Sequence, residues 1–310
     1  MVGSELVGLN PSLDFEEPST SPRLFVLSLS NGPHRSGWLF REATRLGVLM
    51  VETKVVISGI TGKMGLEAVA AISREDDLIL AGGTCAKDRG SILATPKGDV
   101  PLSTDLCALL EQTHPDVMVD FTNAGVAMDA AAKASSRKIN SVMGASGFSE
   151  DQLQQLDDMA NYNGLGIIVA PNFALGAVVL KKLAEQAAPY FDYVDIVESH
   201  HEAKIDSPSG FALNLMRSLG DNKQFTRNQP EKENLANTRG GEHNGVSVHS
   251  IRMPGKSAHH EVIFGASGQT VSIRHDTLDR SCYMPGLVRC IRDVVTRPGL
   301  VIGLENVLRL

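Results

Sequence analysis

Short aliphatic runs alternate with segments of helical periodicity between residues 54 and 171. The runs with the length and β-branched content of buried strands are 54–58, 78–83, 116–121, 139–143 and 164–169. The segments with helical periodicity are 66–72, 105–112, 124–135 and 149–159, the last of which opens with a Ser149–Gln152 capping box. Strands that alternate with helices over short connections predict an α/β domain built on a parallel sheet with right-handed crossovers.

The pattern changes after Pro171. Helical periodicity is found at 176–188 and 208–219, and strand-like runs are found at 193–198, 246–252, 260–264 and 270–275. Glycine-containing turns connect the last three runs, which predicts an α+β unit whose sheet is built largely of hairpins. Ser207 is predicted to cap the second helix and Pro208 to be its first residue, because serine and proline are favoured at these positions. A final helix is predicted at 287–295.

Composition and charge exclude several functional classes. The 310 residues carry 36 acidic and 29 basic side chains, a formal net charge of −7, and the bases form no stripe, so we expect no nucleic-acid partner. No apolar run approaches the ~20 residues that span a bilayer, so we expect no membrane span. The cysteines have unrelated spacings and no C-x-x-C pair, which favours reduced thiols and no metal site. They are Cys85, Cys107, Cys282 and Cys290.

Residues 1–53 show no sustained periodicity and are rich in Ser, Pro and Gly, so we interpret them as an extension outside the fold. Two hypotheses remain for this extension. The stretch 31–50 combines arginines and hydrophobic residues with a single acid, Glu42, as an organelle-targeting helix does. The acidic residues Asp14, Glu16 and Glu17 argue against targeting, and a disordered tail is the alternative.

A glycine-rich loop follows the first predicted strand and precedes the first predicted helix. Its residues are Gly59, Ile60, Thr61, Gly62, Lys63, Met64 and Gly65. Glycines let the chain turn sharply and let a pyrophosphate approach the amides at a helix N-terminus, which predicts a dinucleotide site. The spacing G-x-x-G-x-x-G differs from the common G-x-G-x-x-G fingerprint, so a glycine-rich turn without a ligand remains the alternative.

The residue at the end of the second strand indicates the choice of cofactor. An NAD-specific site has an acidic residue there, about twenty residues after the loop, which binds the ribose hydroxyls. In this chain the position holds Cys85, and Lys63, Lys87 and Arg89 are near it in sequence. No carboxylate repels a 2′-phosphate, so we expect the site to accept NADPH or NADH.

Three further loops follow predicted strands. The ends of parallel strands line the ligand crevice of an open α/β sheet, so these loops are predicted to surround the nicotinamide ring. Their candidate residues are Phe121, Thr122, Gly144, Ala145, Ser146, Asn172 and Phe173.

The segment 198–210 concentrates titratable and small polar residues between a strand and a helix. His200 and His201 can exchange protons near neutral pH, and Lys204 can bind a carboxylate or donate a proton to a ring nitrogen. The amides at the start of the helix predict a cradle for a second carboxylate. These amides belong to Ser209, Gly210 and Phe211. The segment therefore predicts a small dianionic substrate.

Three other interpretations of these residues remain. The paired histidines could lie on the surface without a function. His259 and His260 could join them in a zinc site, although no thiolate or H-E-x-x-H spacing is present. Ser209 could be an acyl nucleophile, although the G-x-S-x-G motif is absent.

The residues from 54 to 310 resemble the 4-hydroxy-tetrahydrodipicolinate (dihydrodipicolinate) reductases of lysine biosynthesis. The shared motifs follow the family order: the glycine loop, Val-Asp-Phe-Thr at 119–122, Pro-Asn-Phe at 171–173, His-His-x-x-Lys-x-Asp-x-Pro-Ser-Gly at 200–210, and His-Asp at 275–276 through Arg280 to Gly286. The resemblance implies a Rossmann-type dinucleotide-binding domain formed by residues 54–171 and 284–310. It also implies an inserted α+β substrate domain, residues 172–283, whose sheets assemble a homotetramer.

The same resemblance implies roles for individual residues. His200 would be the catalytic acid/base and Lys204 the proton donor. Arg280 would lie near the cofactor. The residues that would contact the carboxylates of an unsaturated cyclic dicarboxylate are His201, Ser209, Gly210, Phe211 and Ser146.

Two positions depart from the family pattern. The family usually has Thr-Thr where this chain has Ala145 and Ser146, and Thr where this chain has Phe211. Ser146 keeps a hydroxyl. Phe211 removes one charge-assisted hydrogen bond, worth roughly 1.5–3 kcal/mol, and adds a ring beside the site.

Two functional hypotheses follow. The first is an NAD(P)H-dependent reductase that transfers hydride to the dicarboxylate, and the intact His200, His201 and Lys204 favour it. The second is a reductase-like factor that keeps nucleotide binding and serves in assembly of the chloroplast NADH-dehydrogenase-like complex. The segment 275–286 is similar to the cyanobacterial and plastid branch of the family, which predicts the plastid stroma, with the cytoplasm as the alternative. The extension and Phe211 favour this second hypothesis.

Overall fold

Two β-sheets organise the chain. The computed structural model describes residues 52–310, so the extension predicted for residues 1–53 lies almost entirely outside the described residues. The strands are β1 Thr53–Ser58, β2 Leu78–Thr84, β3 Ile92–Thr95, β4 Gly98–Ser103, β5 Val117–Asp120, β6 Asn140–Met143, β7 Gly166–Val169, β8 Tyr193–His200, β9 Gly241–His243, β10 Val246–Arg252, β11 Ala258–Ala266, β12 Gln269–Thr277 and β13 Gly299–Ile302. The α-helices are α1 Lys63–Ile72, α2 Leu106–Thr113, α3 Ala124–Ser135, α4 Glu150–Asn163, α5 Leu175–Ala187, α6 Gly210–Gly220, α7 Met284–Val294 and α8 Leu304–Leu308. Short 3-10 turns lie at Ala188–Tyr190 and Arg280–Tyr283.

The first sheet has eight strands in the order β13-β7-β6-β5-β1-β2-β4-β3. All of its pairings are parallel except the antiparallel pairing of β3 with β4. Helices α1 and α7 cover one face and α2, α3 and α4 cover the other, because alternate residues of each strand enter different cores. The predicted α/β domain with a parallel sheet is confirmed, as is the capping box of α4 at Ser149 and Gln152.

Three strands of this sheet are not predicted by the sequence pattern. β3 and β4 form an edge hairpin in which only Val100 and Leu102 are buried, so no run of buried residues marks them. β13 has only four residues, and Gly299 and Gly303 at its ends have positive φ angles. β13 pairs with β7, which returns the C-terminal residues to the first sheet.

The second sheet has five strands in the order β12-β11-β8-β10-β9. The hairpins β9–β10 and β11–β12 confirm part of the predicted pattern. The prediction is wrong for β10 and β11, which are consecutive in the chain but do not pair. β8 lies between them, parallel to β10 and antiparallel to β11. It is largely buried, and a neighbouring strand on each side satisfies its backbone hydrogen-bonding groups.

Helices α5 and α6 cover one face of the second sheet. Leu180 of α5 and Leu215 of α6 pack on Val194, Ile196 and the other apolar residues of this face. The face with Asp195 and His249 is not covered by these two helices. Among residues 52–310, no helix is long and apolar enough to cross a membrane.

Close packing at the glycine loop generates a stability prediction. Gly65 is the third residue of α1, and a Cβ atom there would overlap the carbonyl oxygens of Gly59 and Ile60. We expect Gly65→Ala to lower the free energy of unfolding by more than ~2 kcal/mol, because backbone atoms would have to move. Urea unfolding at neutral pH measures this change.

The matched control is Gly125→Ala in the first turn of α3. A Cβ atom there would make only ordinary contact, 3.5 Å from Asn123 Oδ1. This substitution is expected to be neutral or to stabilise by up to ~1 kcal/mol. Equal stabilities of the two variants would contradict the packing described for the loop.

Candidate active site

The glycine loop lies at the carboxyl edge of the first sheet, between β1 and α1. Gly59 has a φ of 82°, a left-handed conformation that glycine adopts without strain, and its amide donates to the Thr84 carbonyl at 3.0 Å. Gly62 is the N-cap of α1, and no side chain caps this helix. The positive end of the helix therefore faces the loop and fits the pyrophosphate of a dinucleotide.

The loops after β5, β6 and β7 reach the same edge of the sheet, since these strands are adjacent and parallel. The rings of Phe121 and Phe173 meet edge to face with centroids 6.2 Å apart. Gly144 packs against both rings, and a Cβ atom there would lie 2.9 Å from Phe121 and 3.1 Å from Phe173. The structure thus brings these three predicted residues together. The other predicted residues of the three loops are Thr122, Ala145, Ser146 and Asn172.

Cys85 follows β2 at this edge. Its thiol is buried and donates to the Lys87 carbonyl at 3.0 Å. Lys87 and Arg89 are exposed, so the position expected for a ribose-binding acid holds a neutral side chain with two cations close by in sequence. Arg280 is exposed in a 3-10 turn that packs against α1.

The second group of candidates surrounds Glu198, near the end of β8. The Glu198 side chain is fully buried, and its carboxylate accepts hydrogen bonds from His200 Nδ1 at 2.5 Å and from the Ser209 amide at 3.2 Å. Arg252 of β10 donates two further hydrogen bonds to it, at 2.7 and 2.8 Å. Burial alone would raise the pKa of Glu198, but the hydrogen bonds outweigh burial and hold that pKa well below its usual range. Glu198 is therefore an anion at neutral pH.

The bond to Glu198 determines the tautomer of His200. A carboxylate only accepts hydrogen bonds, so Nδ1 of the neutral His200 ring carries the proton. Nε2 is then the ring nitrogen that can take or give a proton elsewhere. The imidazole is nearly buried, which restricts its position.

Lys204 lies in the loop between β8 and α6. Its ammonium pairs with the Asp206 carboxylate at 2.7 Å, and this contact is the main reason that the pKa of Asp206 is lowered. The Asp206 carbonyl accepts a hydrogen bond from Arg252 at 2.7 Å. His201 is exposed, and its carbonyl accepts from the Lys204 amide. Arg252 thus contacts both Glu198, which is bonded to His200, and Asp206, which is paired with Lys204.

The predicted start of α6 is wrong by two residues. Ser209, not Ser207, is the N-cap, because its Oγ accepts from the Ala212 amide at 3.2 Å, and Gly210, not Pro208, is the first helical residue. The Ser209 amide is bonded to Glu198 and cannot form part of a carboxylate cradle. The cradle is thereby reduced to the amides of Gly210 and Phe211.

Phe211 packs on the interior of the second sheet. Its ring meets the ring of His260 with centroids 4.6 Å apart and joins the apolar cluster beneath α6. His260 in turn lies 5.3 Å from the ring of His200, and its Nε2 is 3.4 Å from Ser209 Oγ. Burial, together with the nearby His200, lowers the pKa of His260 to about 3, so this ring is neutral at pH 7.

The zinc alternative is not supported. His259 and His260 are adjacent on β11 and point to opposite faces of the sheet, His259 toward Asp276 and His260 toward Ser209. Within residues 52–310, no group of three or more candidate ligands is arranged to hold a metal ion.

Sequence reasoning gave no role to Glu198 or Arg252, and it considered His260 only as a ligand in the zinc alternative. A signal for Glu198 is present: it continues the inward-facing series of Val194 and Ile196 on β8, and a buried carboxylate requires a partner. No comparable signal marks Arg252 or His260, because strand order and register bring them to Glu198.

Comparison with known proteins identifies relatives from one family of reductases. Two family models match, "Dihydrodipicolinate reductase, N-terminus" over residues 53–173 and "Dihydrodipicolinate reductase, C-terminus" over residues 176–308. A 4-hydroxy-tetrahydrodipicolinate reductase from Dehalococcoides mccartyi is 44% identical over 263 residues, covering 84% of this chain and 100% of the relative. One from Syntrophomonas wolfei is 40% identical, covering 83% and 99%. The solved dipicolinate-bound dihydrodipicolinate reductase from Paenisporosarcina sp. TG-14 has a TM-score of 0.75 and 36% identity, covering 82% of this chain and 99% of that one.

The burial of His260 predicts a loss of stability in mild acid. Its pKa is about 3 in the folded protein and 6.5 in the unfolded chain, so between these values the unfolded chain binds a proton that the folded protein does not. The free energy of unfolding therefore falls as the pH falls through this window. His260→Asn is expected to flatten this dependence between pH 6.5 and about 5.5, one unit above the pKa of 4.5 at which Glu198 titrates when unfolded.

The control is His114→Asn. His114 is exposed and forms the left-handed C-cap of α2, a conformation that asparagine tolerates. Urea unfolding across the pH window should show the wild-type slope for this control. A wild-type slope for His260→Asn as well would show that His260 is not the buried neutral group.

Proposed function

The chain belongs to the dihydrodipicolinate reductase family, and we propose that it acts as an NAD(P)H-dependent 4-hydroxy-tetrahydrodipicolinate reductase. The observation that carries this proposal is the cluster at the end of β8, where Glu198 supports His200 and the following loop holds Lys204 and the first amides of α6. This cluster provides backbone amides that can bind a carboxylate and two side chains, His200 and Lys204, that can transfer protons, as reduction of an unsaturated cyclic dicarboxylate requires.

Residues at the carboxyl edge of the first sheet would hold the cofactor. A bound nicotinamide dinucleotide supplies a hydride to the substrate ring. Loop residues 59–65 would bind the pyrophosphate, while Phe121, Gly144 and Phe173 would flank the nicotinamide and Arg280 would lie near the cofactor. Cys85 presents no carboxylate to a 2′-phosphate, which supports the use of NADPH as well as NADH.

His200 and Lys204 would carry the proton transfers. His200 would exchange a proton through Nε2 while Nδ1 stays bonded to Glu198. Either Lys204 or His200 would protonate the product side of the ring after hydride transfer. The groups that would hold the carboxylates are His201, Ser209 Oγ, Ser146 and the amides of Gly210 and Phe211.

Family membership also supports a domain division and an assembly. We infer a dinucleotide domain of residues 54–171 and 284–310 and a substrate domain of residues 172–283. We also infer a homotetramer built on the second sheet. Val197, Ile251 and Ile263 lie on the face that α5 and α6 leave uncovered, so this face offers apolar contacts to another copy.

The assembly-factor hypothesis gains no support from the comparisons. The relatives described above are bacterial reductases, and His200 and Lys204 both have ordered partners. The plastid branch and the plastid stroma stay predictions from the sequence.

The direct test is oxidation of NADPH in the presence of enzymatically generated 4-hydroxy-tetrahydrodipicolinate. The wild-type protein is expected to turn over, and Lys204→Met is expected to lower kcat by about 10²- to 10⁴-fold while calorimetry shows unchanged binding of NADPH. Lys232→Met, an exposed lysine outside the cluster, serves as the control and should keep wild-type activity. A wild-type protein that binds NADPH but leaves it unoxidised would refute the proposal and favour the assembly-factor hypothesis.

The position of Phe211 predicts how far its ring affects catalysis. Because the ring packs on His260 rather than over the first amides of α6, Phe211→Thr should change kcat/KM by less than about threefold. It should also lower the free energy of unfolding by ~1–2 kcal/mol through lost apolar contact. Phe211→Leu, which keeps apolar volume without a hydroxyl, is the control. A gain of about 10- to 100-fold in turnover for Phe211→Thr alone would show that the ring occupies the carboxylate position.

A further inference from the structure

We propose that Glu198 and Arg252 are positioning residues that hold both proton-transfer groups, His200 and Lys204, in one arrangement. This inference deepens the proposed function and rests on it. Neither residue is expected to touch the substrate, since the Glu198 side chain is fully buried and both terminal nitrogens of Arg252 already donate to Glu198 and to backbone carbonyls.

Glu198 orients the ring of His200. Its Nδ1 lies 2.5 Å from Glu198, which is two positions earlier on the same strand and faces the same side of the sheet. Glu198 therefore favours the Nδ1–H tautomer and stabilises the imidazolium that forms when Nε2 takes a proton. The same arrangement of carboxylate and histidine orients the base in other enzymes.

Arg252 connects Glu198 to the loop that carries Lys204. Arg252 uses both terminal nitrogens on Glu198, and one of them also donates to the Asp206 carbonyl at 2.7 Å. Asp206 then holds the Lys204 ammonium at 2.7 Å. The series His200–Glu198–Arg252–Asp206–Lys204 thus connects the two proton-transfer groups through hydrogen bonds of 2.5–2.8 Å.

The other groups near His200 do not supply a charge that could orient it. His260, on β11, faces His200 across 5.3 Å but is neutral at pH 7, so it supplies no charge to His200. Lys204 and Asp206 lie on the loop, and Arg252 reaches His200 only through Glu198. The anion in direct contact with His200 is Glu198.

Glu198→Gln and Arg252→Lys test the proposal in the assay described above. Glutamine keeps the shape of Glu198 but removes its charge. A lysine has one ammonium in place of a planar fork and cannot span both Glu198 oxygens and the Asp206 carbonyl. Each variant is expected to lower kcat by about 10- to 100-fold with KM within about threefold of wild type. The kcat of the double variant should be about the same as that of the more impaired single variant, because the two residues act as a unit.

Asp77→Asn is the matched control. Arg292 of α7 forms an ion pair with Asp77 and Glu75 in the loop before β2, away from the β8 cluster, so this substitution also breaks an arginine–carboxylate contact. It is expected to lower the melting temperature but to leave kcat unchanged. If Glu198→Gln and Arg252→Lys behave like Asp77→Asn, the pair has only a structural role and the proposal is overturned.

A second measurement separates this proposal from the proposed function. The ¹⁵N shifts of the His200 imidazole, assigned by comparison with His200→Gln, should report the Nδ1–H tautomer in the wild type and the Nε2–H tautomer in Glu198→Ala. This result would support the positioning role even if the wild type failed to reduce the proposed substrate. An unchanged tautomer in folded Glu198→Ala would overturn it. Should Glu198→Ala not fold, Glu198→Gln decides: its uncharged amide accepts the Nδ1–H bond more weakly, so the fraction of the Nδ1–H form is expected to fall, and an unchanged fraction would overturn the positioning role.

Discussion

A carboxylate that no solvent reaches must be neutralised by its surroundings, and Glu198 imposes this requirement on the centre of the second sheet. Its four hydrogen bonds come from three parts of the chain: His200 on the same strand, Arg252 on β10 and the Ser209 amide before α6. These contacts determine where α6 begins and which nitrogen of His200 is available. Removing Arg252 would leave a buried carboxylate without its counter-charge, so the candidate site and the stability of this sheet depend on the same group.

The order of the strands makes this arrangement possible. β8 lies between β10 and β11, so one neighbour supplies Arg252 and the other supplies His260. Parallel pairing places Arg252 beside His200, from where its side chain reaches Glu198. Phe211 of α6 packs against His260 on the inner face of this sheet. The residue that departs from the family pattern is therefore part of the packing beneath the site.

The carboxyl edge of the first sheet, where the glycine loop lies, and the cluster on β8 belong to different sheets, and α5 connects them. This helix begins two residues after Phe173 and packs its Leu180 into the core of the second sheet. Gly176 approaches the ring of His275 on β12 so closely that a Cβ atom there would overlap the ring. The absence of a side chain at Gly176 thus allows the helix to pack directly on the second sheet.

The first sheet could be predicted from the sequence because its strands and helices alternate along the chain, and each apolar run marks one element. The second sheet could be predicted only in part, since β8 pairs with strands that follow it by about fifty residues and no local pattern encodes that choice. For the same reason His200 and Lys204 were found from a local motif, whereas Arg252 and His260 were not. The cap at Ser209 was missed because Ser207 and Pro208 form an equally good local signal. Ser209 is distinguished by the bond that its amide donates to Glu198 and by the bond that its Oγ accepts from the Ala212 amide.

A crystal structure of the protein with NADPH and dipicolinate, a planar cyclic dicarboxylate, tests the central claim most directly. The account predicts one carboxylate within about 3.2 Å of the Gly210 and Phe211 amides and Lys204 near the ring of the dicarboxylate, with the Glu198–His200 bond retained and the Phe211 ring still on His260. It also predicts the nicotinamide between the first-sheet loops and the dicarboxylate. A dicarboxylate bound elsewhere, or excluded by the Phe211 ring while NADPH is in place, would contradict the claim that the end of β8 is the reducing site.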